Sequence, residues 1–266
     1  MALVAALLAS IACGIVGSYV TVRRMTYIAG AIAHCTLGGM GAARYLQKEM
    51  GLSLATPLTG AVVAALLAAL LTSWLQAKSD MRQDTILSAV WSIGMAIGII
   101  FISKTSGYNE DLMSYLFGDI LMVSPVDIVL ISLLDVGLLV AAFFFHNELD
   151  AIAFDEEFSR LSGLPVDLYN TLFLCTVALT VVLLVQLVGI ILVVALLALP
   201  AATAGRLTAR LPTMITVAVL LCICATVGGL GISYSPNLPA GATIILAAGA
   251  IYLIVDIYLK TKEKIK

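Results

Sequence analysis

Long, uninterrupted apolar runs are the feature of this sequence that most limits its fold. A helix needs about 20 apolar residues to cross the hydrocarbon core of a bilayer, whereas spanning strands show shorter, alternating segments. Of the 266 residues, 62% are hydrophobic and only 11% are charged, against about 25% charged in a soluble domain. The sequence therefore predicts an all-α integral membrane protein, a multi-span helical bundle. Its clearest runs, all without Lys or Arg, are residues 2–22, 55–76, 86–103, 126–145 and 213–232.

The spans are spread evenly along the chain, so we predict a single transmembrane domain over residues 1–266. Its longest polar stretch, about residues 147–170, is expected to be cytoplasmic. Lys and Arg are enriched in cytoplasmic loops, and an outside N-terminus with a cytoplasmic C-terminus places all but three of the 14 Lys and Arg residues inside. The reverse orientation places all but three outside. The pattern predicts a multi-pass protein of the cell (inner or cytoplasmic) membrane in the first orientation.

Residues 171–205 are almost wholly apolar, yet both flanks of this stretch are predicted to be cytoplasmic. The chain must then cross the membrane an even number of times. Two full spans need about 40 residues and only about 35 are available, so two short helices or a re-entrant pair would fit. The turn is expected near Gln186 and Gly189. We predict nine membrane segments, with eight as the alternative.

His34 lies near the middle of the second span, about residues 27–46, with Cys35 next to it. Polar groups inside a membrane are functional candidates because burying them is costly. Imidazole suits zinc, iron, nickel and copper ions, and thiolate favours the softer ions. His34 is therefore the candidate metal ligand and Cys35 a possible second one. The alternative is a core histidine that is hydrogen-bonded between helices.

Carboxylates occupy three other notable positions. Asp135, midway along the fifth span, could contact an ion, relay protons or serve a structural role. Glu110, Asp111 and Asp119 flank an aromatic-rich outer loop, where they could concentrate cations at a pore mouth or lie solvated on a short interfacial helix. Asp256, near the inner end of the last span, is expected to be a solvated interfacial charge.

A short capped helix is predicted within the polar stretch. Asp155, Glu156 and Glu157 begin it, and Gly163, followed by Leu and Pro, ends it. A bilayer protein has little use for such a helix unless another protein docks on it. The alternative is an ordinary solvated loop.

The remaining motifs exclude several classes of protein. The sequence has no hydrolase triad, phosphate loop or HExxH motif, so an ATP-driven machine would need its ATPase on another chain. It also lacks the basic runs of a nucleic-acid-binding protein. The cysteines lie in apolar segments without the spacing of a zinc site or a disulfide framework. Apart from Cys35, we expect them to be core residues: Cys13, Cys175, Cys222 and Cys224.

Five segments form an ordered set of motifs along nearly the whole chain. They are RRMTY at 23–27 leading to Ala33-His34, DLMSYLFGD at 111–119, FDEEFSRLSG at 154–163, LALPAATAGR at 197–206 and LPAG at 238–241. The motifs include the structural residues Pro200, Pro239 and Gly241. Each motif is weak alone, but in their shared order and spacing they resemble the permease family of zinc/manganese/iron ABC importers (ABC-3 type).

This resemblance implies the membrane subunit of an importer that works by alternating access. The expected partners are a second copy of the chain, cytoplasmic ABC ATPase subunits that bind ATP, an extracytoplasmic metal-binding protein and membrane lipid. The expected fold is similar to that of the vitamin B12 and siderophore permeases. Residues 155–163 would dock on the ATPase. The chain itself would be a transporter rather than an enzyme, with a transported divalent metal ion and no permanently bound cofactor.

The sequence departs from the family pattern at Gly30. The family usually has an Asp four residues before the second-span histidine, on the same face of the helix, and here that Asp is missing. Mn²⁺, which prefers oxygen ligands, becomes less favoured unless Asp135 or Asp119 supplies the oxygen. The metal, of the zinc, manganese or iron class, stays open. Two other classes also stay open: an ATP-independent metal or proton carrier or channel, and an assembly or signalling protein without flux.

Overall fold

The computed structural model describes residues 1–78, 83–105, 118, 123–234 and 238–265. Within these ranges the chain forms eleven α-helices and no strand, as the sequence predicts. Eight of these helices are long and apolar enough to cross a membrane, and α2, with 23 residues, is long enough but more polar. In chain order the helices are α1 (Ala2–Val22), α2 (Tyr27–Glu49), α3 (Pro57–Lys78), α4 (Gln83–Lys104), α5 (Pro125–Phe144), α6 (His146–Phe154), α7 (Glu156–Leu161), α8 (Val166–Val188), α9 (Ile190–Leu207), α10 (Leu211–Tyr234) and α11 (Ala240–Ile265).

The chain divides into two compact units, each built from separated stretches. Unit 1 comprises Met1–Thr26, Phe117–Phe154 and Leu187–Lys266, and therefore holds α1, α5, α6, α9, α10 and α11. Unit 2 comprises Tyr27–Leu116 and Asp155–Gln186, with α2, α3, α4, α7 and most of α8. The single transmembrane domain stays a prediction.

In unit 1, α1 is the most buried helix and packs against α9 and α10. At Gly17 a side chain would collide with the backbone carbonyl of Leu197, so only glycine allows this approach. The hydroxyl of Ser10 lies 3.0 Å from that of Thr226 on α10. Close backbone packing and a buried polar contact thus place α1 at the centre of its unit.

In unit 2, α2 has the corresponding central position. Gly39 meets Gly60 of α3 almost backbone to backbone. On another side of α2, Gly38 lies against Gly94 and Gly98 of α4. Small residues let membrane helices approach closely enough for extensive van der Waals contact. The small residues around His34 therefore bring α3 and α4 against the helix that carries it.

The apolar stretch 171–205 divides at Gly189, one of the two positions predicted for its turn. Gly189 has φ +81°, a left-handed conformation that glycine adopts without the steric cost that other residues incur. The expectation of two short helices is wrong for the first one. Helix α8 begins at Val166, directly after Pro165, and has 23 residues, because the mixed polar and apolar residues 166–170 form its first turn. Helix α9 has 18 residues.

The motif prolines lie at different places in their helices. Pro239 directly precedes α11, where its carbonyl accepts a hydrogen bond from the Thr243 amide at 3.2 Å. Pro200 lies inside α9 and is buried. Proline removes one backbone donor from a helix interior, so Pro200 marks a weak point in the hydrogen bonding of α9.

The expectation that four cysteines are core residues holds only in part. Cys13 and Cys222 are buried in unit 1. Cys175 is half-buried and Cys224 is exposed, so the expectation is wrong for Cys224. The cause is that α10 buries only one of its faces, and an apolar helix face that meets lipid accepts the same residue types as a core.

Candidate metal-contact site and coupling helix

The imidazole of His34 stacks on an aromatic ring of α4. The centroids of His34 and Trp91 are 4.7 Å apart and their planes differ by 6°, while Tyr27 lies at a tilt on the same indole at 6.2 Å. Stacking uses the face of the imidazole and not its edge. Among the residues that the structure describes, neither ring nitrogen has a hydrogen-bond partner. The alternative of a histidine that is hydrogen-bonded between helices therefore receives no support.

Cys35 has a different environment from its neighbour. Its thiol is buried and donates a hydrogen bond to the Val90 carbonyl of α4 at 3.2 Å. Its Sγ also lies where a side chain at Gly94 would have to be. The thiol therefore serves the packing of α2 on α4, which makes it a poor candidate ligand.

Gly30 lies one turn before His34 on α2 and is half-buried. It brings no side chain to the position where the family pattern has its carboxylate. Within the described ranges, no group of three or more His, Cys, Asp or Glu side chains could hold a metal ion. A single chain thus offers one nitrogen ligand here.

Asp135 is buried in unit 1, with 4% of its surface exposed. It lies on the buried face of α5 together with Ile131 and Leu138. Neither carboxyl oxygen has a hydrogen-bond partner within the described part of the chain. Burying an unpaired polar group costs free energy, which makes Asp135 a functional candidate. Because His34 belongs to unit 2, the joint action of the two residues stays a prediction.

The predicted acidic residues of the outer mouth are Glu110, Asp111 and Asp119. All three lie outside the described residues. Their role in concentrating cations stays a prediction.

The short helix α7 forms where the sequence predicts it. Asp155 is its N-cap, and a carboxylate oxygen of Asp155 accepts a hydrogen bond from the Phe158 amide at 2.9 Å. At the other end, Gly163 has φ +85° and its amide donates to the Arg160 carbonyl at 3.2 Å. The side-chain cap and the left-handed glycine define both ends of a six-residue helix.

Side chains tie α7 to the start of α8. Arg160 donates to both carboxylate oxygens of Asp167, at 2.8 and 3.2 Å, and contacts Glu156 at 3.5 Å. The hydrogen bond and charge of Asp167 hold the pKa of Arg160 above its ordinary value. A two-pronged arginine–carboxylate contact fixes geometry better than a single hydrogen bond, so α7 is held in one orientation against α8.

Two large apolar side chains on α7 remain uncovered. Phe158 is 65% exposed and Leu161 is 83% exposed. The helix is too short to span a bilayer, so its surface lies outside the spans. Exposed apolar residues rimmed by charges are typical of a protein docking surface.

Asp256 is not the solvated charge that the sequence suggests. It forms ion pairs with Arg206 of α9 and with Lys260 on its own helix, the latter at 2.9 Å, and its side chain is only 14% exposed. The four-residue spacing to Lys260 is visible in the sequence. The Arg206 contact joins residues that are far apart in the chain, which hydropathy cannot reveal.

Long apolar helices, together with the two short helices α6 and α7, fit a membrane permease. Residues 1–258 match the model of the ABC 3 transport family. The chain therefore belongs to that family and is a membrane protein, as its motifs predict.

Related proteins cover almost the whole chain. It is 38% identical over 250 residues to a probable metal transport system membrane protein of Chlamydia trachomatis, covering 94% of this chain and 85% of the relative. It is 32% identical over 263 residues to the manganese import system permease protein ScaB of Streptococcus gordonii, covering 99% and 91%. Among solved structures, PsaBC from Streptococcus pneumoniae in complex with Fab matches with a TM-score of 0.82 and 34% identity, covering 98% of this chain and 94% of that one. The predicted permease fold is confirmed.

Proposed function

We propose that this chain is the membrane subunit of an ABC importer that moves a divalent transition-metal ion into the cytoplasm by alternating access. It works as a homodimer with separate ATPase subunits and receives the ion from an extracytoplasmic binding protein. Its N-terminus is outside and its C-terminus is cytoplasmic. The near full-length similarity to the streptococcal manganese permease supports this class of substrate.

His34 is the observation that carries the proposal. The imidazole of His34 is half-buried on a long helix and stacks on Trp91, which fixes its orientation. It has no hydrogen-bond partner among the described residues, so its ring nitrogens are available to a ligand. Metal-ligating histidines are held in a fixed orientation by their surroundings. In a dimer the two copies would offer two imidazoles.

Metal uptake into proteoliposomes that contain the whole importer tests this role. His34→Ala should reduce ATP-dependent uptake at least tenfold while leaving the assembled complex intact. The chain offers a matched control, because it contains only two histidines. His146→Ala, which removes a 3.3 Å contact with Tyr19 in unit 1, should retain uptake. Equal uptake by the His34 variant and the native protein would refute the ligand role.

The choice of metal follows from Gly30. Without a carboxylate one turn before His34, the site lacks the oxygen ligand that Mn²⁺ prefers, and nitrogen ligands favour zinc or iron. Gly30→Asp should therefore increase the transport of Mn²⁺ relative to that of Zn²⁺. If the variant and the native protein transport Zn²⁺ and Mn²⁺ in the same ratio, Gly30 does not set the selectivity.

Residues 155–163 would transmit movement from the ATPase. Gly163→Pro conflicts with φ +85° and removes the amide that donates to Arg160, so it should abolish transport-coupled ATP hydrolysis. Reversing the charges at Asp155–Glu157 should reduce it. If the variant complexes assemble and couple normally, the docking assignment is wrong.

A secondary carrier is the second candidate, since the buried and unpaired Asp135 could carry a proton. Co-purification separates the two functions. A tightly bound ATPase supports the importer, whereas proton-coupled uptake by the chain alone supports the carrier.

A further inference from the structure

A pocket of about 420 Å³ opens at one end of unit 1, and none of its lining residues belongs to the helix that carries His34. It lies where four long helices meet: the end of α1, the connection between α9 and α10, and α11. Phe154, the last residue of α6, also lines it. All of these residues belong to unit 1. The lining residues used below are Thr21, Val22, Arg206, Arg210, Met214 and Tyr252.

The charge around the pocket is positive. Arg206 and Arg210 both line it, and no acidic side chain of the described ranges does. Arg206 is already paired with Asp256. Arg210 is exposed, and its side chain has no hydrogen bond or ion pair among the described residues. A free guanidinium at the rim therefore favours an anion, and phosphate matches its planar set of donors.

A second polar group in the pocket also lacks a partner. The hydroxyl oxygen of Thr21 is buried without a hydrogen bond inside the described part of the chain. Thr203 and Thr208 of the same unit, by contrast, bond the carbonyl one turn before them, at 2.8 Å each. A buried hydroxyl without a partner is uncommon. Because this oxygen is buried, the Thr21 side chain must rotate before its hydroxyl can donate into the pocket that the residue lines.

The rest of the lining is apolar or aromatic and includes Val22, Met214 and Tyr252. Helix α1 ends at Val22 and α9 ends at Leu207, so the pocket lies at the ends of these two spans. Tyrosine is enriched at this level of membrane proteins. The pocket thus combines cationic and hydroxyl groups with an apolar wall at the lipid boundary.

We infer that this pocket binds the phosphate headgroup of an anionic phospholipid. The phosphate accepts from Arg210 and, after rotation of the Thr21 side chain, from its hydroxyl, and the start of the acyl chains lies on the apolar wall. Basic pockets between spanning helices are the general form of such sites. In the proposed orientation the lipid belongs to the cytoplasmic leaflet. The inference does not depend on the transported metal, because lipid binding can be measured without metal or ATP.

Native mass spectrometry of the purified importer, titrated with phosphatidylglycerol or phosphatidylcholine, tests the inference. The native protein should retain phosphatidylglycerol in preference to phosphatidylcholine. Arg210→Gln should weaken its binding about tenfold, and Thr21→Val should weaken it by a smaller factor while the protein stays folded. Lys262→Gln is the matched control, because Lys262 is an exposed basic residue near the end of α11 that does not line the pocket. It should leave lipid binding unchanged.

Three results would overturn the inference. Equal binding of phosphatidylglycerol by the Arg210→Gln variant and the native protein would exclude the pocket as the lipid-binding site. Equal losses for Arg210→Gln and Lys262→Gln would indicate attraction by overall surface charge. Inorganic phosphate that displaces phosphatidylglycerol at similar concentrations would show a site for a soluble anion. If Arg210→Gln fails to fold, Thr21→Val against the native protein decides the question alone.

Discussion

The N-cap of α7 offers the sharpest test of how the docking helix is maintained. The Asp155 carboxylate accepts the Phe158 amide at 2.9 Å, and Asp155→Ala removes that acceptor while leaving Arg160 and Asp167 in place. Loss of an N-cap side chain costs roughly 1 kcal/mol, within a range of about 0.5–2 kcal/mol. Because α7 has only six residues and short helices are marginal on their own, most of this cost should appear as local unfolding.

The expected magnitude follows directly. A cost of about 1 kcal/mol lowers the ratio of formed to unfolded helix about fivefold. Hydrogen exchange measures this ratio without any partner. The amides of Ser159 and Ser162 donate within α7, to Asp155 and Phe158. They should exchange about fivefold faster when α7 closes faster than its open amides exchange, because the exchange rate then follows the opening equilibrium. Where the helix is largely unfolded, the affinity of the ATPase subunit should fall in proportion.

Two variants separate the cap from the charge. Asp155→Asn keeps an acceptor but removes the charge, so the amides of α7 should exchange nearly as slowly in this variant as in the native protein. Glu157→Ala removes a neighbouring charge and leaves the cap intact. If Asp155→Asn opens α7 as much as Asp155→Ala, the charge maintains the helix and the capping argument is wrong. If none of the variants alters exchange, the Arg160–Asp167 contact alone holds α7.

Three further changes test packing, each through the thermal stability of the purified protein in detergent. Gly39→Leu should destabilise unit 2 by about 1–3 kcal/mol, because the new side chain collides with the backbone of Gly60. Gly228→Leu is the control and should have little effect, because nothing lies within 4 Å of that position. Equal losses of stability in the two variants would contradict this account of α2. Asp135→Leu should leave the melting temperature unchanged or raise it, since it removes an unpaired buried carboxyl, and a clear drop would point to a partner outside the described residues. Arg206→Gln should cost about 1 kcal/mol, because the ion pair that it breaks is partly exposed, and raising the salt concentration should reduce the difference.

The sequence predicts the spans well because membrane insertion depends on local properties. Run length and apolar content place most helices within a few residues, and the left-handed glycines at Gly163 and Gly189 mark real boundaries. These residues act through their own backbone conformation, which does not depend on distant partners. The apolar run does not mark the start of α8, because a first turn that contains polar residues can precede an apolar remainder.

The environment of the candidate site was harder to predict. His34 stands out in the sequence because an imidazole in a span is rare. Its stacking on Trp91, the bond from Cys35 to Val90 and the pairing of Asp256 with Arg206 all join separate helices. Hydropathy records how apolar a segment is and not which neighbour it meets, so such contacts need coordinates.

The central position of α1 has a consequence for synthesis of the protein. The residue that contacts Ser10 is 216 positions later in the chain. At about 5–20 residues per second, the ribosome takes roughly 10–40 s to reach it. During that interval α1 is in the bilayer with its serines and glycines facing lipid or another helix. The newly made N-terminal helix is therefore the part of this protein most in need of a temporary partner, such as an insertion factor, until α9 and α10 arrive.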